Sequence, residues 1–423
     1  MRIREMLCCL MFVASGELAV VNSLHAQPIA SSPVLPLHSI PKPKLGELDV
    51  LSHAANAFDR APQWSLAPAP VATAGGAHAP NHDLTNAWEV ELLSDGRLVT
   101  LASIGNRLLL FAPDGKGGKS LGRQGKGPGE IMAPGGMSRT RGDTIIITDA
   151  ANARINWIVV DKGFVITKPL PAMTNGSFVK PVGMLRGGEL VLSTSGLVQN
   201  GAADGVTRPT AAVMVVAPTT GYTSTVASLP DLELMKVEMR YGGRQSFNTT
   251  VLGFSRSAMA VAWDTVVATG TGDGYRIDLR NSKGAVLSSI RVAVKRRPVT
   301  QAMRDSSIAL GLRRFDDPGR ERMVDPEESR RLERSKPFAD SMPPYGQWFV
   351  SPNNTLWVVD AIAPGDIGGS ATAFRQDGAI LGRLRWTRPG TPVAFGNDRL
   401  VLREADDDGV ISLGVYRIQP ARR

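Results

Sequence analysis

Asp95-Gly96-Arg97-Leu98-Val99-Thr100 sets a turn-forming pair in front of a short apolar strand, and five further stretches repeat the arrangement. They are Gly142-Asp143-Thr144-Ile145-Ile146-Ile147, Gly187-Gly188-Glu189-Leu190-Val191-Leu192, Ser255-Arg256-Ser257-Ala258-Met259-Ala260-Val261, Asn353-Asn354-Thr355-Leu356-Trp357-Val358 and Asn397-Asp398-Arg399-Leu400-Val401-Leu402. Each reads as a hairpin signal, because small polar residues and glycine tolerate the backbone of a tight turn. Recurrence on this scale means a radial or stacked repeat.

A second unit follows most copies. It reads Arg107-Leu108-Leu109-Leu110-Phe111, then Arg154-Ile155-Asn156-Trp157-Ile158-Val159, Tyr275-Arg276-Ile277-Asp278-Leu279-Arg280 and Ala373-Phe374-Arg375-Gln376-Asp377-Gly378, with looser forms at Ala212 to Val216 and Gly414 to Ile418. In the clearer copies apolar and polar residues alternate, as a half-buried strand requires. Two strands per copy, with one before and one after, make a four-stranded antiparallel unit. Leu98, Ile145 and Leu190 lie roughly 45 residues apart, within the ~40–50 of propeller blades. The expected fold is all-β: a six-bladed β-propeller with a short helical insertion.

The longer intervals hold extra sequence. Asn200 to Arg208 and Asp231 to Arg244 read as loops, and about 299–342 as the helical insertion. Asp325-Pro326-Glu327-Glu328 is a helix start, with an N-cap, proline in the first turn and acids at the positive end of the dipole; Pro337 would stop that helix. An apolar stripe is expected at Ile308, Leu310, Leu312 and Phe315. The insertion is expected to cover one face of the ring as a lid or docking element.

The chain end supplies only inner strands for the last blade, around Val393-Phe395, Leu400-Arg403 and Ser412-Ile418. Gln63 to Ala72 is expected to add the outer strand and close the ring, which removes exposed sheet edges.

Ahead of the ring, Met1-Arg2-Ile3-Arg4 is basic and Leu7 to Gly16 is an apolar run of about ten residues, a leader's core and too short to span a bilayer. Residues 1–26 read as a signal peptide and 27–62 as a Pro/Ala-rich linker, in which Gly46 to Arg60 suits one short helix; the propeller is expected over 63–420. Export to the periplasm or beyond follows, with no membrane span once the leader is removed. The two cysteines, Cys8 and Cys9, fall in the leader. A mature chain without cysteine excludes disulfides, thiolate nucleophiles and cysteine metal sites. Leu7 and Cys8 precede them where a lipoprotein leader needs a small residue. The net charge of +9 over 423 residues survives leader removal, since Arg2 and Arg4 cancel Glu5 and Glu17. It reads as a solvated basic surface, concentrated at Lys295-Arg296-Arg297 and Arg330-Arg331, or more sharply as affinity for anionic envelope surfaces, and not as a nucleic-acid footprint in an exported protein.

Gly122-Arg123-Gln124-Gly125-Lys126-Gly127-Pro128-Gly129-Glu130 reads physically as a crossover between blades. Its glycines permit positive φ and Pro128-Gly129 sets a turn, while its amides offer a cradle for an anion. The stretch also resembles one found after the first blade in exported bacterial six-bladed β-propeller proteins related to those with NHL-type repeats. Trp64-Ser65-Leu66, Arg297-Pro298-Val299-Thr300 and Lys336-Pro337-Phe338-Ala339-Asp340-Ser341-Met342-Pro343-Pro344-Tyr345 are similar to segments of that family and fall in the same order, so the resemblance spans about Trp64 to Ile418. That family is mostly without assigned activity, and the resemblance implies architecture. The sparsely glycine-marked fourth blade and the long linker depart from it.

Familiar catalytic motifs fail on inspection. Gly118-Lys119-Ser120 imitates a P-loop end, but Pro113 stands where its first glycine belongs. Glu404 to Gly409 imitates an EF-hand start, but Val415 stands at the twelfth position. No histidine follows His82, so a Ser-His-Asp triad would have to borrow His78 or His82, and histidine-rich metal sites are excluded. What remains as ligand-binding candidates are Asp149, Asn152, Asp264, Asp273, Asn354 and Asp360 at strand ends, and His82. No catalytic residue can be named.

Two functions fit. One is an exported, non-catalytic propeller that binds a small molecule or an envelope protein, monomeric and without cofactor. The other is a calcium-assisted hydrolase or lactonase at the tunnel mouth, using Asp, Glu and Asn ligands.

Overall fold

The computed structural model describes residues 49–421 except 77–83, 85–86, 103–106, 141, 172–178, 196–204, 218–219, 242–243, 314–325 and 407. Residues 1–48, which include the expected leader with Cys8 and Cys9, and Asp325 lie outside the described residues. Among the described residues the chain is all-β: six antiparallel four-stranded units make up the ring, the fourth extended by a parallel strand and the fifth and sixth joined into one nine-stranded sheet, with a three-stranded and a two-stranded sheet beside them. Their first strands are Ala87–Leu92, Pro134–Arg139, Val179–Met184, Met259–Trp263, Gln347–Val350 and Thr391–Phe395. These strands touch one another in that order, and the sixth returns to the first, so the sheets form a closed ring.

Period-two alternation explains the ring. In the second sheet Ile145 and Ile147 pack toward the first sheet, while Ile146 between them packs toward the third. Both faces of each sheet are therefore apolar. One buried cluster fills each gap between neighbours, six in all. Each fully buried Ile, Leu or Val in these gaps stabilises the ring by about 1.5–3 kcal/mol.

The sixth sheet takes its outer strand from the other end of the chain. Ala72–Gly75 pairs antiparallel with Ile411–Pro420, placing Ala74 opposite Leu413. The closing strand thus begins where the sequence-based range ended. Gln63–Leu66 does something else: it runs parallel to Ile380–Trp386 of the fifth sheet and antiparallel to the end of Ile411–Pro420. It stitches the fifth and sixth sheets together. Asp49–His53 likewise adds a parallel strand to the outer edge of the fourth sheet, followed by the one-turn helix Ala57–Arg60. The single helix expected over Gly46 to Arg60 is replaced because an open strand edge offers the backbone more hydrogen bonds than one isolated turn.

Two further expectations shift. The fourth repeat was placed one strand early: Met259–Trp263 is a first strand, and the tight turn is Asp264-Thr265 before Val266–Gly270. Asp264 takes φ +57 there, as Asp143 (φ +59) and Asn354 (φ +63) do in the second and fifth copies. Asp231 to Arg244 is not a loop. Leu234–Tyr241 and Arg244–Val251 pair as a long hairpin, joined on one edge by Val206–Thr207.

The insertion is helical over Gln301–Arg313 and Pro326–Arg334. Its first helix does not bury the expected stripe. Leu310 is exposed, Phe315 lies outside the described residues, and Met303 is the apolar side chain buried, with Val299, Met342 and Ala363. The second helix touches the long hairpin, where Arg331 Nη2 donates to the Glu238 carbonyl at 2.7 Å. Phe338 then packs at a tilt against Phe254 at 5.6 Å, with Arg304 over its ring.

Antiparallel order sends connections of two kinds to opposite rims. Links within the first and third hairpins are tight turns. Links from second to third strands, and from sheet to sheet, reach the other rim. That rim carries Gly122 to Glu130, the long hairpin, the helical insertion and the loop Ala361 to Gly368.

Candidate functional site

Four of the candidate carboxylates hold an arginine. Asp149 lies against Arg154 (3.6 Å), Asp264 against Arg186, Asp273 against Arg208 and Arg256, and Asp360 against Arg383. The structure separates them into three places.

Asp149 and Asn152 belong to the glycine-rich crossover. Glu130 folds back so that its carboxylate accepts the Gly127 amide and the Arg123 side chain, both at 2.6 Å. The anion in the amide cradle is the chain's own glutamate, held below its ordinary pKa first by the Gly127 amide and then by Arg123. A β-carbon on Gly127 would stand 3.1 Å from Glu130 Oε2, and Gly129 has φ +78 against the Phe164 ring. Gly122 sits against the Gly129 carbonyl, and Pro128 separates the two glycines of the turn. Beneath, Arg154 Nη2 donates to the carbonyls of Glu130 (2.6 Å) and Gly127 (3.3 Å). Asp149 accepts the Met132 and Ala133 amides and the Asn152 amide group. Asp149 and Asn152 are both fully buried, so these two side chains shape the crossover.

Asp264 and Asn354 lie at the rim of tight turns. Asp264 takes Arg186 in a two-pronged pair at 2.9 and 2.5 Å, tying the fourth sheet to the third. Asn354 adopts φ +63, and its carbonyl accepts Trp263 Nε1 at 2.9 Å. His82, and His78 with it, lies outside the described residues.

Asp273 and Asp360 are brought to the same place. They line one cleft of about 420 Å³ between the fourth and fifth sheets, on the loop-rich rim. Its apolar wall includes Phe58, Val294, Pro343, Pro344 and Ile362. Burial opposes the Asp273 charge, but the Thr271 hydroxyl and the Arg208 and Arg256 guanidinium groups more than offset it and hold its carboxyl below the ordinary value. Asp366 is paired with Arg297 at 2.7 and 2.8 Å. Asp360 takes both guanidinium nitrogens of Arg383, which also donates to Thr372 Oγ1 at 2.6 Å and Ser370 Oγ at 2.8 Å.

Tyr275 also lines this cleft and is 3% exposed. Its ring packs edge-on to Phe58 at 5.3 Å and to Tyr345 at 5.6 Å. The two tyrosines differ at their hydroxyls. Tyr345 accepts the Gly272 amide and donates to the Arg276 carbonyl. The Tyr275 hydroxyl has no hydrogen-bond partner. Thr372 lies beside it, and the threonine hydroxyl, though it accepts from Arg383, keeps a proton and a second lone pair, so a small adjustment would join the two. Burial, and then the charge of Asp360, lift the Tyr275 phenol well above its ordinary range, so it stays a donor. An orphaned buried hydroxyl costs about 1–3 kcal/mol unless something satisfies it.

Sequence reading missed Tyr275, because its neighbour Phe58 arrives from the segment before the ring. It also missed Glu89 and Glu91, alternate residues on the first strand of the first sheet. Glu89 accepts the Met137 amide and lies 3.2 Å from Lys180; Glu91 accepts the Arg139 amide at 3.0 Å. They satisfy the inner edge of the second sheet. Burial raises both carboxyls above the ordinary value, with Lys180 and Arg139 pulling back. The signal available was two acids at period two in an otherwise apolar strand.

No family model and no curated protein matches the chain. Among solved structures it is similar to a member of the DUF4221 family from Bacteroides vulgatus, at 10% identity and a TM-score of 0.46 over 86% of this chain and 100% of that one. It is similar to the calcium-binding protein regucalcin from Agrobacterium tumefaciens at 9% identity and 0.42, over 86% and 97%. It is also similar to virginiamycin B lyase from Staphylococcus aureus at 9% identity and 0.36, over 82% and 98%. The ring and the cleft rest on this chain's own strand order and contacts.

Proposed function

We propose that this chain is an exported, NHL-like binding propeller without catalytic chemistry, which takes a small ligand into the cleft between its fourth and fifth sheets. The carrying observation is the cleft itself, whose volume falls within the ~300–1,000 Å³ range of small-molecule sites and whose lining joins an apolar wall to the buried Tyr275. The carboxylates of the cleft are committed to arginines, which makes them architectural charges. Export rests on the leader over residues 1–26. Among the described residues no helix is long and apolar enough to cross a membrane.

The test is a thermal-shift screen of small molecules against the purified mature chain and Tyr275→Phe. Ligands that stabilise the parent should lose that effect in the variant, while the variant alone unfolds no earlier. Equal shifts in both would remove Tyr275 from the site. Stoichiometric tightly bound calcium by elemental analysis, with activity on lactones, would replace the binding reading by the metal-assisted hydrolase.

A further inference from the structure

We infer, on the reading that this cleft is a binding site, that its ligand is a small amphipathic organic anion. Seven charged residues line the cleft: Arg256, Lys295, Arg296 and Arg297 against Asp273, Asp360 and Asp366. Pairing removes most of them. Arg256 meets Asp273 at 2.5 Å, Arg297 meets Asp366, and Asp360 is held from beneath by Arg383. Two cations remain. Arg296 donates to the Asp273 carbonyl, and neither it nor Lys295 has a carboxylate partner among the described residues. Both are exposed, whereas Tyr275 is buried.

The cleft is therefore graded from mouth to floor. Its mouth carries unneutralised positive charge. Its wall of Phe58, Val294, Pro343, Pro344 and Ile362 is apolar. Its floor is Tyr275, whose hydroxyl lies beneath the surface and would donate to an acceptor that reaches it. A molecule that satisfies all three has an acidic group at one end, a compact apolar body, and an acceptor such as a carbonyl or hydroxyl at the other. A cation would meet Lys295 and Arg296 at entry, and a purely polar anion would leave the wall and the phenol unused.

Two fluorescent probes share an apolar body and differ in charge: anilinonaphthalene sulfonate, an anion, and N-phenylnaphthylamine, which is neutral. They would be titrated into the mature chain, the Lys295→Ala/Arg296→Ala double variant, Tyr275→Phe and Gly274→Trp. Gly274 lines the cleft, has ordinary φ and has open space around a β-carbon, so tryptophan there fills the cleft without strain. The expected result is one sulfonate site per chain, lost in Gly274→Trp and weakened about tenfold or more in the double variant. The neutral probe should bind more weakly and ignore the double variant. If both probes bind equally, are displaced by Gly274→Trp and ignore the double variant, the anion assignment is wrong while the cleft stands. If neither Gly274→Trp nor Tyr275→Phe changes either probe, the cleft itself is not the site. Should Gly274→Trp fail to fold, the double variant still decides the charge and Tyr275→Phe the location, because Lys295 and Arg296 are surface residues.

Discussion

A β-carbon added to Gly125 would stand 2.0 Å from Glu130 Oε2, because the glutamate folds back into the loop that carries it. The crossover between the first two sheets is thus wound around an internal anion. Gly125→Ala should force the carboxylate out and cost about 1–3 kcal/mol, as overpacking does. Urea unfolding checks this: an unchanged midpoint would show that the loop needs no such closeness. Glu130→Ala should relieve the clash, so Gly125→Ala in that background should cost less.

Ring closure depends on Ala74, which is fully buried opposite Leu413. Ala74→Asp places an uncompensated charge in the seam between the first and sixth sheets and should cost about 3–5 kcal/mol. Faster proteolysis near both chain ends should accompany it. A variant as stable as the parent would mean that the strand is dispensable for closure.

Glu89 gives a pH test with a definite sign. Its carboxyl is raised above 4.5 in the folded chain, chiefly by burial. The folded state then binds that proton more tightly than the unfolded chain. Its contribution to stability is fully present below pH 4.5 and is lost as pH rises through the folded value. The difference in Tm between parent and Glu89→Gln should therefore fall from acid to neutral pH. A difference that rises over that range would contradict the assigned environment.

Residues 304–336 carry most of the insertion but leave Met303 and Phe338 in place. Replacing them with a short Gly-Ser linker removes the contact of the second helix with the long hairpin, including the Arg331 to Glu238 hydrogen bond. The six sheets do not rely on that contact. The far-ultraviolet dichroism of the strands should persist, and a ligand of the cleft should bind as in the parent, because none of the removed residues lines it. Insoluble product would make the insertion a structural part of the ring.

The repeat itself was legible because strand signals are local. Alternation, a turn pair and another alternation lie within a few residues of each other, and Leu98–Ala102, Thr144–Asp149 and Leu190–Thr194 follow them closely. Pro326 opens a helix for the same reason. The fourth copy slipped because its turn pair, Asp264-Thr265, holds one turn-forming residue where the other copies hold two. The hairpin Leu234–Tyr241 was overlooked although Met235, Val237, Met239 and Tyr241 alternate with charged residues. What the chain order could not reveal is which side chains meet. Asp264 finds Arg186 across 78 residues, and Phe58 reaches Tyr275 from outside the repeats. The six strand repeats, the all-β class and the helical insertion are properties of the sequence alone, since backbone pairing and periodicity act at short range. The split of the carboxylates into crossover, turn rim and cleft, and the orphaned hydroxyl of Tyr275, were decided by the tertiary structure, because burial and charge pairing depend on distances that only closing the ring creates.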